Sequence, residues 1–135
     1  MDVLRKYQGP IYAALRIVAG FLYACHGAQK LFGVLGGTQV TQPLMMVAGV
    51  IEFGGGLLIA LGLFVGIASF IASGQMATAY FMAHFPGGFW PIQNHGELPV
   101  LYSFLFLYVA ARGAGIASLD GLRAAKSQVT ALPIP

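Results

Sequence analysis

A single carboxylate lies in the middle of a long apolar stretch of this chain. Between Lys30 and Glu97, Glu52 is the only Asp, Glu, Lys or Arg. An ionised acid in hydrocarbon costs several kcal/mol, so Glu52 should face protein or trapped water and have a partner. Glycines at positions 49, 54, 55 and 56 surround it, and in a membrane they allow close helix approach. We therefore expect helices gathered around the segment Gly49–Gly56.

The composition is that of an integral membrane protein. The 135 residues are 58% hydrophobic and only 8% charged, whereas soluble domains carry about 25% charged residues. The basic residues lie mostly near the two ends of the chain, which indicates membrane topology rather than nucleic-acid binding. The single cysteine, Cys25, excludes an internal disulfide and an iron–sulfur cluster held by cysteines of this chain.

Four apolar segments are each long enough to cross a bilayer. A helix of about 20 residues, at about 1.5 Å per residue, spans a hydrocarbon core of about 30 Å. The predicted spans are Ile11–Phe32, Leu44–Phe64, Gly66–Phe85 and Leu98–Ser118. A glycine turn near Gly62–Gly66 is expected to separate the second span from the third. The prediction is one all-α domain over residues 1–135, an integral membrane four-helix bundle.

Four crossings place both termini on the same side of the membrane. Basic residues flank both ends, at Arg5, Lys6, Arg123 and Lys126, so both termini are predicted to be cytoplasmic. The chain after the fourth span is expected to form a short surface helix, capped by Ser118 or Asp120.

The third loop, Pro86–Glu97, is predicted to fold back over the outer end of the bundle as a lid. Phe89, Trp90 and Ile92 are apolar side chains that would be costly to expose together. Such a lid would bring His95 and Glu97 close to the polar groups of the outer half.

The polar residues of the first two spans form a candidate site in the outer half of the bundle. His26 and Glu52 are predicted to lie at the same depth, and Lys30 lies one turn above His26 on the same face. Side chains lean toward their helix N-terminus, so Lys30 and Glu52 lean toward each other on antiparallel helices. The candidate set is His26, Lys30, Glu52, His95 and Glu97. It is either a structural ion pair with a hydrogen-bonded histidine or a functional polar site.

Two arginines lie near the opposite end of the bundle. Arg16 is expected to extend toward the cytoplasm and to form a structural ion pair with Asp120. Arg112 leans into the membrane and requires a partner, which the sequence does not identify. His84, His95 and Glu97 match no recognised metal motif, so no metal site is predicted.

Taken in order along the chain, these motifs resemble the DoxX family of small membrane proteins. The resemblance covers about residues 12–121. The matching parts are Arg16, His26–Leu31, Gly49–Gly56, Leu61–Leu63, Gly88–Trp90, Asn94–Glu97 and Arg112–Asp120. The family usually has a proline where this chain has Ala114.

The resemblance implies a four-helix fold in the plasma (inner) membrane and a connection with redox chemistry. Members are similar to the small subunit of an archaeal thiosulfate:quinone oxidoreductase, and another member associates with a sulfurtransferase and a superoxide dismutase. It supplies no established catalytic residues. The resulting hypothesis is a membrane subunit of a redox or sulfur-metabolism system, an oxidoreductase subunit if it is an enzyme. It would bind a quinone or a small sulfur compound in the outer half.

Two alternatives from other classes stay open. One is a non-enzymatic scaffold that docks soluble redox enzymes, and the other is a small transporter with Glu52 lining its path. The partners implied are the lipid bilayer, soluble redox enzymes and, as a further alternative, a second copy of the chain.

Overall fold

The computed structural model describes residues 2–130, with side chains through residue 127, and that part of the chain is all-helical. The α-helices are α1 (Asp2–Arg5), α2 (Gln8–Phe32), α3 (Pro43–Leu61), α4 (Val65–Ala79), α5 (Pro91–Asn94), α6 (Glu97–Arg112) and α7 (Leu119–Thr130). The prediction of an all-α protein with membrane-spanning helices is confirmed.

Three helical segments of the described chain are long and apolar enough to cross a membrane. They are Gln8–Phe32, Pro43–Leu61 and Val65–Gly87, close to the first three predicted spans. The turn between the second and third lies at Gly62–Phe64, as predicted, with Gly62 at φ 75°.

The fourth predicted span, Leu98–Ser118, extends beyond the helix that the structure shows there. Helix α6 ends at Arg112 after 16 residues, about 24 Å at the helical rise. Gly113 and Gly115 follow with positive φ values of 80° and 66°, a conformation that ends a helix and that glycine adopts without strain. A four-helix bundle in which α6 is a full crossing therefore stays a prediction.

Helices α2 and α3 touch backbone to backbone. A Cβ atom added to Gly27 would lie 2.2 Å from the backbone nitrogen of Phe53, and one added to Gly56 would lie 2.5 Å from that of Ala24. Close approach of this kind needs glycine on the contact face. Gly54 has no neighbouring atom within 4 Å, so only some of the glycines around Glu52 serve the contact.

Arg16 and Asp120 meet the α3–α4 turn rather than each other. The fully buried Arg16 donates hydrogen bonds to the carbonyl oxygens of Ala60 at 2.8 Å and Ala117 at 2.7 Å. Asp120 Oδ2 accepts a hydrogen bond at 3.1 Å from the backbone N–H of Val65. The last turn of α3 leaves carbonyl oxygens without helical partners, and these attract the Arg16 guanidinium. The first turn of α4 leaves N–H groups without partners, and these attract the Asp120 carboxylate. No direct ion pair forms between Arg16 and Asp120 in the described structure.

The far end of α4 changes its helical geometry before Pro86. The backbone widens to π-type hydrogen bonding at Tyr80–His84 and tightens into a 3-10 turn at Phe85–Gly87. A proline lacks the N–H that an α-helix requires and clashes with the preceding turn, which explains the change.

The third loop does not form the predicted lid. Phe89, Trp90 and Ile92 remain 64%, 60% and 73% exposed. The Tyr80 hydroxyl donates to the carbonyl of Phe89, and Asn94 Nδ2 donates to the carbonyl of Gly88 at 2.7 Å. These bonds hold the loop beside the end of α4. At the other end of the chain, Ser118 Oγ accepts from the N–H of Gly121 at 3.1 Å, so the predicted Ser118 cap of the terminal helix is confirmed.

Candidate functional site

A cavity of about 700 Å³ lies among α2, α3, α4 and the start of α6. Its walls are mostly aliphatic, alanine and methionine side chains, including Met45, Ile51, Ile71 and Met76. Its polar lining groups are Tyr23, His26, Lys30, Glu52, Gln75, Thr78, His84 and Tyr102. The cavity thus combines a large apolar volume with a few convergent polar groups, the usual character of small-molecule sites.

Glu52 is the centre of the polar end of this cavity. Its side chain is only 1% exposed, and the Lys30 ammonium group pairs with both of its oxygens. Gln75 Nε2 donates to Glu52 Oε1 at 3.1 Å, and the Tyr23 hydroxyl donates to Gln75 Oε1 at 2.7 Å. The buried carboxylate therefore has a charged partner and a hydrogen-bonded support, as its cost in an apolar interior requires.

Helix packing explains why Lys30 and Glu52 meet. The glycine contacts of Gly27 and Gly49 lie on the same faces of α2 and α3, close to the ion pair in the sequence. They bring the two backbones close enough for the side chains to reach each other. Lys30 is 24% exposed, so its ammonium group is partly accessible while Glu52 is not.

The structure brings together three of the five candidate residues. His26, Lys30 and Glu52 line the same cavity. His95 and Glu97 are exposed and lie outside its lining. His95 adopts a left-handed conformation with φ 59° at the end of α5, and Glu97 begins α6. Their separation from the cavity follows from the position of the third loop beside α4.

Gln75 and Tyr23 line the cavity and were not predicted from the sequence, and His84 was considered only as a metal ligand and not as part of this site. His84 lies in the π segment and makes a 3.1 Å hydrogen bond through Nδ1 to the carbonyl oxygen of Asn94. Gln75 could have been identified from the sequence, because an amide side chain in the middle of an apolar span needs a hydrogen-bond partner. The partner itself, Glu52, follows only from the packing of α4 against α3.

Comparison with known proteins identifies the family of this chain. The DoxX family profile matches residues 11–85, more than half of the chain. The chain belongs to the DoxX family. It is 45% identical over 128 residues to an uncharacterized protein of Haemophilus influenzae, an alignment that covers 89% of this chain and 96% of the relative. No solved structure shows significant similarity to it.

The DoxX match contains most of the cavity but not all of the chain. It includes His26, Lys30, Glu52, Gln75 and His84, and it ends before the third loop and α6. Family membership and three apolar helices together show that this DoxX chain is a membrane protein.

The cavity of this DoxX protein has polar groups at one end and apolar walls along the rest of its lining. Lys30 offers ammonium donors, and His26 can donate or accept a proton at its ring nitrogens. Within residues 2–130 no group of three His, Cys, Asp or Glu side chains is arranged to hold a metal ion. The side chains at the polar end of the cavity offer hydrogen bonding, charge compensation and proton exchange.

Proposed function

We propose that this DoxX protein is a plasma-membrane subunit of a redox or sulfur-metabolism system that binds a quinone in the cavity beside Glu52. The observation that carries the proposal is the combination of a chamber of about 700 Å³ with the Lys30–Glu52 pair at one end. A quinone has an apolar ring and tail and two carbonyl oxygens that accept hydrogen bonds, so its chemistry matches both parts of the chamber.

Each polar residue has a role in this proposal. Lys30 donates a hydrogen bond to a quinone oxygen and stabilises negative charge there, and Glu52 holds the ammonium group in place. Reduction of a quinone to a quinol takes up two electrons and two protons, and His26 passes both protons to the quinone oxygens one after the other, recovering each from water. The electrons come from a soluble redox enzyme that docks on a water-exposed surface of the protein.

The cavity walls favour a quinone over a small sulfur compound. Val47 on α3, Ile71 on α4 and Met82 in the π segment line the cavity and have exposed side chains, so the cavity is open to the surroundings of the helices. In a bilayer these side chains meet lipid, so a lipid-dissolved molecule can enter from the membrane. A small anionic sulfur compound would leave most of the apolar wall without a partner.

Quinone retention provides the test. Protein purified in mild detergent is equilibrated with decyl-ubiquinone, separated from free quinone, and extracted to measure bound quinone by its absorbance. We expect retention of about one quinone per wild-type chain. Ala48→Trp places an indole in the cavity lining and should reduce retention about ten-fold or more, a loss of about 1.4 kcal/mol.

Val50→Trp is the matched control. Val50 lies on the same helix, is 60% exposed and does not line the cavity, so this variant should retain quinone normally. A folded wild-type protein that retains no quinone would contradict the proposal and favour the scaffold. Equal loss in both variants would show that retention depends on the detergent-exposed surface.

We further propose that α6 completes a four-helix bundle and that both termini face the cytoplasm. Tyr23, Phe106 and Tyr102 pack together across α2 and α6, with the Tyr23 and Phe106 ring centroids 4.8 Å apart. This contact supports the proposal that α6 crosses the membrane beside the other three helices.

Reporter fusions test this topology. A reporter active only in the cytoplasm should work at the C-terminus of the chain, and a reporter active only outside should work within Thr38–Thr41. The basic residues near both termini are the reason for this expectation. An external C-terminal reporter would mean that α6 does not cross the membrane or that the orientation is reversed.

A further inference from the structure

A second groove lies at the opposite end of the molecule from the Lys30–Glu52 pair. Its volume is about 310 Å³, and it runs between the first turns of α2 and the last turns of α6. Two arginines, Arg5 and Arg112, line it together with the apolar side chains of Ile11 and Leu15. Cationic and apolar groups are thus adjacent at the end of the helices, the level where lipid headgroups meet a membrane protein.

Arg112 is held in position by two tyrosines. Its guanidinium carbon lies 4.2 Å from the centre of the Tyr12 ring, and Nη1 donates to the Tyr108 hydroxyl at 2.6 Å. The Tyr12 hydroxyl in turn donates to the carbonyl oxygen of Gly113. Tyr12 and Tyr108 are therefore the partners of Arg112 that the sequence did not identify. They also fix the direction of the guanidinium group before any ligand binds.

The positive charge of the groove is not neutralised locally. Among the described residues no carboxylate forms an ion pair with Arg112. Arg5 lies 3.7 Å from Asp2, but both side chains are largely exposed, so this pair is weak. A guanidinium carries five N–H donors, and the structure gives Arg112 one hydrogen bond, to Tyr108. Its other donors can bind an anion.

We propose that this groove binds one anionic phospholipid, with the phosphate on Arg112 and Arg5 and an acyl chain along Ile11 and Leu15. Arginine matches phosphate geometry through paired N–H donors, which explains the headgroup contact. Ile11 and Leu15 are 52% and 41% exposed, and an acyl chain covers them. A free phosphate ion would use only the cationic half of the groove. The site does not depend on quinone binding.

Lipid binding can be measured directly by native mass spectrometry. Detergent-washed protein is mixed with dioleoyl phosphatidylglycerol or with dioleoyl phosphatidylcholine, which has the same acyl chains without net charge. We expect phosphatidylglycerol to bind about ten-fold more tightly, with one lipid retained per chain. Inorganic phosphate at millimolar concentration should not displace it.

Arginine variants distinguish lipid binding in the groove from non-specific attraction of the lipid by the protein's positive charge. Arg112→Gln should reduce the affinity for phosphatidylglycerol to that for phosphatidylcholine. Arg5→Gln should weaken it in the same direction, and because Arg5 is exposed this variant should fold normally. Arg123→Gln is the matched control. Arg123 is also an arginine close to a chain terminus, but its guanidinium group lies over the Phe64 ring and outside the groove. This variant should keep the preference.

Several results would overturn the proposal. Equal affinity for the two lipids would show that the groove recognises only acyl chains. Displacement by inorganic phosphate would show an anion site without a lipid. Equal losses in Arg5→Gln and Arg123→Gln would show that net charge, rather than the groove, attracts the lipid.

Discussion

Replacing Gly27 by alanine is expected to destabilise the protein by about 3 kcal/mol or more. The added methyl group would lie 2.2 Å from the backbone nitrogen of Phe53 and 2.7 Å from the carbonyl oxygen of Gly49. Both atoms belong to helix backbone, which cannot move without separating α2 from α3. That separation would also pull Lys30 away from Glu52, so the loss of packing and the loss of the ion pair would add together.

Unfolding in bicelles, followed by far-ultraviolet circular dichroism, measures the effect. Gly54→Ala is the control, because Gly54 lies on α3 in the same segment and has no atom within 4 Å of an added methyl. It should leave stability unchanged or raise it by up to about 1 kcal/mol through better helix propensity. Equal stability of Gly27→Ala and wild type would show that the two helices do not pack as the structure describes.

Removing Lys30 should destabilise the protein more than removing Glu52, the other partner of the ion pair. Lys30→Met leaves a carboxylate that is 1% exposed, supported only by the Gln75 amide among the described contacts. We expect a loss of about 3 kcal/mol, the lower part of the range for a broken buried pair. Glu52→Gln leaves the ammonium group of Lys30, whose side chain is 24% exposed and can turn toward water. That loss should be about 1 kcal/mol.

The double variant tests whether the two residues act on each other. With both changes present no charge is stranded, so the total loss should be smaller than the sum by at least about 1 kcal/mol and smaller than that of Lys30→Met alone. The same unfolding assay gives the coupling energy. Strict additivity would mean that Lys30 and Glu52 are stabilised independently.

Glu97→Gln supplies the control for this cycle. Glu97 is an exposed carboxylate outside the cavity lining, so its replacement should change stability by less than about 0.5 kcal/mol. Combined with Lys30→Met it should show no coupling. A coupling as large as that of Glu52 would indicate that the third loop closes over the cavity in the membrane.

Features that depend on neighbouring positions along the chain were predictable from the sequence. Segment length and hydropathy determine which residues form apolar helices, because only such segments cross a bilayer without exposing backbone polar groups. The pairing of Lys30 with Glu52 was predicted because the first two spans are consecutive and antiparallel. On such helices the side chains lean toward each other. The Gly62 turn and the Ser118 cap follow from local backbone preferences.

Features that depend on how distant helices pack were decided only by the tertiary structure. The contact of Gln75 with Glu52 requires a particular rotation of α4 against α3, and rotation results from all the packing contacts together. Arg16 reaches the end of α3 and Ala117 instead of Asp120, because unpaired carbonyls lie where the chain folds back on itself. His95 and Glu97 lie away from the cavity because of the path that the third loop takes. The sequence did not determine that path, since the three glycines of the loop allow many backbone conformations.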